Sequence, residues 1–219
     1  VWTLLWLRFF YFMVVNLGKI KEFTVAKGGQ LSKVIEHNFR ESFNLMLFNR
    51  GRIESLLYVL ESIPSVRDIA KEAKVLSMGP RNEGELLLLE RHGFRWGNIT
   101  GLDLFSYSPK IEIMDMHYMT FADNSFDIVV CSRVLSYSEN VKKAVSEIVR
   151  ITKNGGIIAI GLAWSEDSAN NSKVLGNRFD GWLDELLGFF EGHVDYIYWR
   201  SEGMRKYNGD MTTIFRLKK

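Results

Sequence analysis

The chain has 219 residues, with 28 Lys and Arg against 26 Asp and Glu for a formal net charge of +2, and at roughly 150 residues per domain that length suits one full domain with an appendage. Its 47% hydrophobic and 25% charged content is that of a folded globular protein, and the near-neutral balance gives no electrostatic footprint for nucleic acid. The lone cysteine, Cys131, excludes a disulfide scaffold, and four histidines leave little for a metal cluster, so a reducing, cytoplasmic compartment without structural zinc is expected.

The first element is apolar. Within residues 1–17 only Thr3, Arg8 and Asn16 are neither apolar nor aromatic, and Trp2, Trp6, Phe9, Phe10, Tyr11 and Phe12 crowd the first twelve positions. A membrane span needs about 20 apolar residues, and Arg8 near the middle of this shorter run would cost roughly 2.5 to 3.5 kcal/mol. A secretory signal is disfavoured too, because no positive start or small-residue cleavage site precedes Lys19. The chain does not begin with Met, so a truncated or processed start is expected. Three roles stay open for the segment: a helix or strand docked on the protein or on a second copy, contact with a membrane surface, or a remnant of a longer run.

After the Gly28-Gly29 break, residues 31–46 carry apolar positions at three and four spacing, and residues 52–62 repeat the pattern with Ile53, Leu56, Leu57 and Leu60 before Pro64 stops the helix. Residues 1–73 therefore read as an apolar head and helical extension. His37, on the first of these helices, has no ligand partner at metal spacing and is expected to be solvated or capping.

From residue 74 short apolar runs alternate with helical stretches. Strands are expected at residues 74–78, 99–104, 110–114, 126–131, 156–162, 194–199 and 212–217, with helices at 84–91, 140–151 and 179–190. Alternation of this kind implies an α/β domain at residues 74–219 with a doubly wound, mostly parallel sheet, since parallel strands need crossovers. Only twelve residues, without a helical period, separate the last two strands, so they should form an antiparallel hairpin at one end. The expected order is 3-2-1-4-5-7-6, with the last strand antiparallel.

Chemistry concentrates where these strands end. The first runs through Ser77-Met78-Gly79-Pro80-Arg81-Asn82-Glu83-Gly84 into a helix, a glycine turn of the kind that brings backbone N–H groups to a ligand. The second ends at Asp103-Leu104. Asp103 lies 24 residues beyond Gly79, close to the roughly 20-residue offset at which an acid accepts from ribose hydroxyls; the alternative is an Asp that caps the next turn. The third closes on Asp115-Met116-His117, and Asp123-Asn124-Ser125-Phe126-Asp127 leads into a buried fourth strand.

At these residues the chain resembles the class I, Rossmann-like S-adenosylmethionine-dependent methyltransferases, in the branch that carries "GD…LPF.D.SFD" before the fourth strand. The likeness is best over residues 74–162. It implies S-adenosylmethionine as cofactor, with Ser77, Gly79, Pro80, Arg81, Glu83 and Gly84 around its methionine end, Asp103 and Leu104 at the ribose, Asp115, Met116 and His117 at the adenine, and Ser132 and Arg133 in the loop that closes over it. Tyr137 stands where the branch often has His. Methyl transfer asks for alignment, and for a base only if the acceptor must lose a proton; His117 and Tyr137 are the candidates, with Trp164 and Glu166 near the same crevice. Residues 162–190 are the expected acceptor-recognition insert.

Two departures stand in the first motif. Ser77 replaces an acid and Arg81 a second glycine, with Glu83 or Glu85 as candidate replacement carboxylates and the cofactor carboxylate as a candidate partner for Arg81. These losses favour the rival reading, a methyltransferase-like binding or scaffolding protein. A nucleotide-cofactor oxidoreductase is the further alternative, weakened because the turn lacks the Gly-x-Gly that lets a pyrophosphate approach. The expected reaction is methyl transfer to a small-molecule or sugar-like acceptor.

Overall fold

A computed structural model of the chain describes residues 2–16, 19, 21–22, 53–80, 82–162, 183–202 and 211–219. The expected helix at residues 31–46, together with His37, Arg81, Trp164 and Glu166, lies outside the described residues, as does most of the expected acceptor insert.

The main sheet is built from β2 (Val75–Met78), β3 (Ile99–Asp103), β5 (Ile111–Ile113), β6 (Phe126–Ser132), β7 (Thr152–Leu162), β8 (Val194–Ser201) and β9 (Met211–Leu217). Their order is β5-β3-β2-β6-β7-β9-β8, which is the expected 3-2-1-4-5-7-6. The strands from β5 to β7 pair in parallel, whereas β9 runs antiparallel to both β7 and β8. β2 is buried at every position because helices cover both faces of the sheet, which is why its sequence is a continuous apolar run rather than an alternating one.

One face is covered by α5 (Val141–Ile151) and α6 (Leu183–Phe189), whose buried side chains join Leu76, Val129, Ile158 and Phe215. In α5 the buried Val141, Ala144, Val145, Ile148 and Ile151 fall at helical spacing. The other face is covered by α2 (Glu54–Ser62), α3 (Pro64–Ile69) and α4 (Glu83–Arg91), which enclose Val75, Ile99, Ile128, Val130 and Ile214. Leu56 of α2 reaches across to Gly161 of β7, where a Cβ would lie 3.3 Å from its Cδ1. The stretch from Ile53 onward is thus packed on the sheet. Pro64 both ends α2 and begins α3, at whose first turn its missing N–H costs nothing.

Outside this core, α1 (Trp2–Asn16) lies against α4. Arg8 anchors it, pairing with Glu90 and placing its guanidinium 5.3 Å from the Trp96 ring centre. Leu4, Leu7, Tyr11 and Val14 form an exposed ridge on the same helix. A two-residue strand, β1 (Lys21–Glu22), pairs antiparallel with β4 (Phe105–Ser106); that β4 forms where the sequence suggests only a turn is a difference set by this partner, which is distant in sequence. Among the described residues no helix is long and apolar enough to cross a membrane.

Candidate active site

The carboxyl ends of β2, β3, β5 and β6 lie side by side, and the chain's polar strand-end residues gather there. Met78 of β2 pairs with Leu102 of β3 and with Cys131 of β6, and Asp103 pairs with Ile113 of β5. The Met114 N–H donates to the Asp103 carbonyl at 3.2 Å, so the two segments leave the sheet together. Asp115 follows two residues beyond Ile113, which brings the second and third acidic signals to neighbouring strand ends.

At the glycine turn, Gly79 adopts φ +71°, donates its N–H to the Leu102 carbonyl at 2.7 Å, and lies so close to Val134 that a Cβ would sit 2.7 Å from Cγ2. Only glycine fits both demands. Pro80 packs over Gly101, whose absent side chain makes the room. The helix that follows is capped by Asn82, whose Oδ1 accepts from the Gly84 N–H at 2.9 Å. Ser77 is buried between Gly101 and Val130 in the middle of the sheet.

Glu83 is wholly buried, with Tyr107 and Ser108 beside its carboxyl. Both neighbours lower its pKa, yet neither carboxyl oxygen has hydrogen-bond geometry to any group among the described residues. Burial prevails and pushes the carboxyl above its ordinary value. The Tyr107 hydroxyl is pushed up as well, by burial first and by the nearby Glu83 charge second.

Asp103 is buried, and its Oδ1 accepts the N–H of the next residue, Leu104, at 2.7 Å. Asp115 is half-buried. Its Oδ1 accepts the His117 N–H at 2.9 Å and meets His117 Nδ1 at 2.5 Å. Burial raises the Asp115 pKa, but the bonds from the His117 ring and backbone outweigh it and hold the carboxyl below its usual range. The far side of the ring, Nε2, lies 2.7 Å from Ser138 Oγ and 3.3 Å from the Asn140 N–H. Met116 packs at the edge of the apolar core.

On the other side of the crevice Ser132 ends β6 in full burial, and Arg133 takes φ +57° with its N–H donated to the Gly161 carbonyl at 2.7 Å. A non-glycine residue held there is strained. Tyr137 is half-buried in the turn that follows. Cys131 is buried and its thiol is pushed up to about 12, chiefly by burial, so it is a small apolar core residue. The glycine turn and the ends of β3, β5 and β6 thus bring Gly79, Asp103, Asp115 and Ser132 to one edge. Sequence reasoning missed Ser138, Asn140, Glu147 and Arg150, which fix the Asp115 loop; the only local signal was Asn140 as the cap of α5, where it accepts the Lys143 N–H at 3.0 Å. A cavity of about 480 Å³ opens elsewhere, at the sheet edge between Lys19, Lys21, Tyr107 and Glu112; none of those four acidic, glycine or serine strand-end residues lines it.

Comparison with known proteins bears on the fold. Residues 76–160 match the family model described as a methyltransferase domain. Over that stretch the chain is similar to the methyltransferase domain. Similar solved structures share the fold at low identity. The N-methyltransferase NodS from Bradyrhizobium japonicum WM9, in complex with S-adenosyl-L-homocysteine, is 17% identical with a TM-score of 0.63 and covers 84% of this chain and 98% of its own. The 1,6-didemethyltoxoflavin-N1-methyltransferase of Burkholderia thailandensis, with bound 1,6-didemethyltoxoflavin and S-adenosylhomocysteine, is 14% identical with a TM-score of 0.60 and covers 91% and 94%. The methyltransferase solved in complex with the Haloferax volcanii Trm112 activator is 15% identical with a TM-score of 0.62 and covers 85% and 98%. No curated protein matches the sequence significantly.

Proposed function

We propose that this methyltransferase domain moves the methyl group of S-adenosylmethionine to an oxygen, nitrogen or carbon nucleophile of a small-molecule or sugar-like acceptor. The observation that carries the reading is the pairing of Asp103 with Ile113, which sets Asp103 and Asp115 on adjacent strand ends beside the left-handed Gly79 turn. A nucleoside with a charged amino-acid tail asks for this set of groups. Two carboxylates accept from ribose hydroxyls and an exocyclic amine, a side-chain-free turn lets backbone come close, and Met116 offers a polarizable surface to a purine ring.

The cofactor supplies an electrophilic methyl on a sulfonium; the protein's residues bind and orient. Asp103 and Leu104 hold the ribose, Asp115, Met116 and His117 the adenine. The turn from Ser77 to Gly84, with Pro80, Arg81 and Glu83, takes the methionine end, and Ser132 and Arg133 close the crevice. His117 and Tyr137 are the candidates for a proton acceptor. His117 already spends both ring nitrogens on Asp115 and Ser138. A small-molecule acceptor is supported by the Burkholderia enzyme, which was solved with one bound.

The domain is read as cytoplasmic, in keeping with a single buried thiol. The exposed ridge of α1 supports a contact role with a membrane surface or a second copy, which liposome flotation and mass measurement of a variant lacking residues 1–17 distinguish. Calorimetric titration with S-adenosylmethionine and S-adenosylhomocysteine tests the main reading. One-to-one binding is expected, with Asp103→Ala and Asp115→Ala each losing about 1 to 3 kcal/mol; a folded protein that binds neither ligand is a scaffold, not an enzyme.

A further inference from the structure

Asp115, His117 and Ser138 form a continuous hydrogen-bonded chain whose role goes beyond holding a loop. Asp115 Oδ1 takes two bonds from one residue, the His117 N–H at 2.9 Å and the ring at Nδ1, 2.5 Å away. A carboxylate oxygen below its usual pKa only accepts, so Nδ1 carries the proton. Nε2 is then an acceptor, and the structure gives it two donors, the Ser138 hydroxyl at 2.7 Å and the Asn140 N–H at 3.3 Å. Every polar atom of the ring is satisfied in this one tautomer.

The ends of the chain belong to different parts of the site. Asp115 stands just past β5, while Ser138 and Asn140 stand at the start of α5, directly after the segment that follows β6. His117 is 5% exposed and Ser138 0%, so water does not compete for these bonds, and buried networks of this kind hold their members rigidly. The order Asp, His, Ser is also that of a nucleophile relay. Ser138, however, is sealed from any substrate, and its Oγ also accepts from the Asn140 N–H at 3.2 Å. The chain therefore positions rather than attacks.

What it positions is the remaining oxygen. Among the described residues Asp115 Oδ2 has no protein partner, while the side chain keeps 14% of its surface exposed. We propose that His117 is a positioning residue for base recognition: by occupying Oδ1 twice and tying it to the start of α5, it leaves Oδ2 as a fixed, acceptor-only atom that selects a 6-amino purine over a 6-oxo purine. The inference rests on the adenosyl-cofactor reading above. An exocyclic amine donates to Oδ2, whereas a 6-oxo group meets it acceptor to acceptor, which leaves a buried polar atom unpaired on each side and is penalised accordingly.

The test compares S-adenosylhomocysteine with S-inosylhomocysteine by calorimetry on the full chain. Wild type should prefer the adenine ligand by at least about tenfold, the worth of one charge-assisted hydrogen bond. His117→Leu removes the ring's links to Asp115 and Ser138, keeping only the backbone N–H on Oδ1, and should weaken the adenine ligand about tenfold while leaving the inosine ligand nearly unchanged, so the ratio collapses. His117→Asn retains a side-chain N–H near the Nδ1 position and should restore most of the ratio; Ser138→Ala should give an intermediate value. A general loss of folding would lower both affinities together and leave the ratio intact, which would overturn the proposal, as would an unchanged ratio in His117→Leu. Failure of the cofactor reading looks different, because wild type would then bind neither ligand. A second readout is independent of ligand: in nitrogen-15 spectra of the free protein, the ring signals that vanish in His117→Asn should be those of an Nδ1-protonated tautomer, and an Nε2-protonated ring would overturn the assignment.

Discussion

Arg150, in the last turn of α5, donates through Nη2 to the Met119 carbonyl at 2.7 Å, and through this bond the helix holds the loop that carries Asp115 and His117. The same guanidinium reaches the Phe121 carbonyl and Asp123, each at 2.7 Å, and Glu147 at 2.9 Å. Glu147 in turn accepts the Met119 N–H at 3.0 Å. Both polar groups of the Met119 peptide are thus read by one helix. His117 ties the near end of the loop to the start of α5, and Arg150 ties the far end to its finish, so one helix holds the loop at both ends.

Arg150→Ala should cost about 1 to 3 kcal/mol, because two part-buried carbonyls lose a charged donor and Glu147 is left with only Lys143 and a backbone N–H. Arg150→Lys should recover little, since an ammonium cannot span these four acceptor groups as the planar fork does. Urea unfolding midpoints decide this; equal midpoints for wild type and both variants would refute the clamp.

Acid should loosen the same clamp. Burial raises the Glu147 pKa, but the bonds and charge from Arg150, with help from Lys143 and the Met119 N–H, bring it below its ordinary value. Asp115 is lowered likewise. A carboxylate depressed on folding contributes stability that is fully present above the unfolded value of about 4 and is lost as pH falls through the folded one. Stability should therefore drop on acidification below about pH 4 to 5, and Glu147→Gln should flatten part of that drop while lowering stability at pH 7. Melting temperatures across pH 3 to 7, on the order of one-unit steps, measure both slopes.

The sheet was legible because its strands are short apolar runs separated by helical periods, and because residues 200–211, between the last two strands, leave no room for a crossover helix. Asp103 and Asp115 were legible as strand ends, and parallel pairing then made them neighbours. What could not be read depends on distance in the chain. His117 meets Ser138 across 21 positions, Arg150 meets Met119 across 31, and Arg8 meets Glu90 across 82. No local period encodes such partners. Arg8 is instructive in that respect: by composition it is a cost within an apolar run, and in the fold it becomes the polar tether of that run.

Glu83 should show the opposite pH dependence. Its carboxyl is fully buried and raised above its ordinary value by that burial. A raised carboxyl gives stability that is complete below the unfolded pKa of about 4 and is lost as pH rises through the folded value, because the folded state holds the proton longer. Glu83→Gln keeps the shape without the charge. It should match wild type near pH 4 and exceed it near pH 8 in urea titrations, on the order of 1 kcal/mol or more. A variant weaker than wild type at pH 8 would mean that a cation meets this carboxylate in the folded protein.

Gly79 tests the turn itself. Two separate penalties oppose a side chain there: φ of +71°, which costs an L-residue roughly 1 to 2 kcal/mol, and a Cβ placed 2.7 Å from Val134 Cγ2. Gly79→Ala should therefore lose stability through both. Val134→Ala opens the space beside the turn, so in the double variant the steric part should return while the backbone part stays, and the coupling energy of the cycle reads the contact alone. Affinity for S-adenosylhomocysteine follows a different logic. Restoring space does not restore a side-chain-free turn, so binding by the double variant should remain weak even where its melting temperature has recovered. Recovery of both together would show that the turn serves packing and not the ligand.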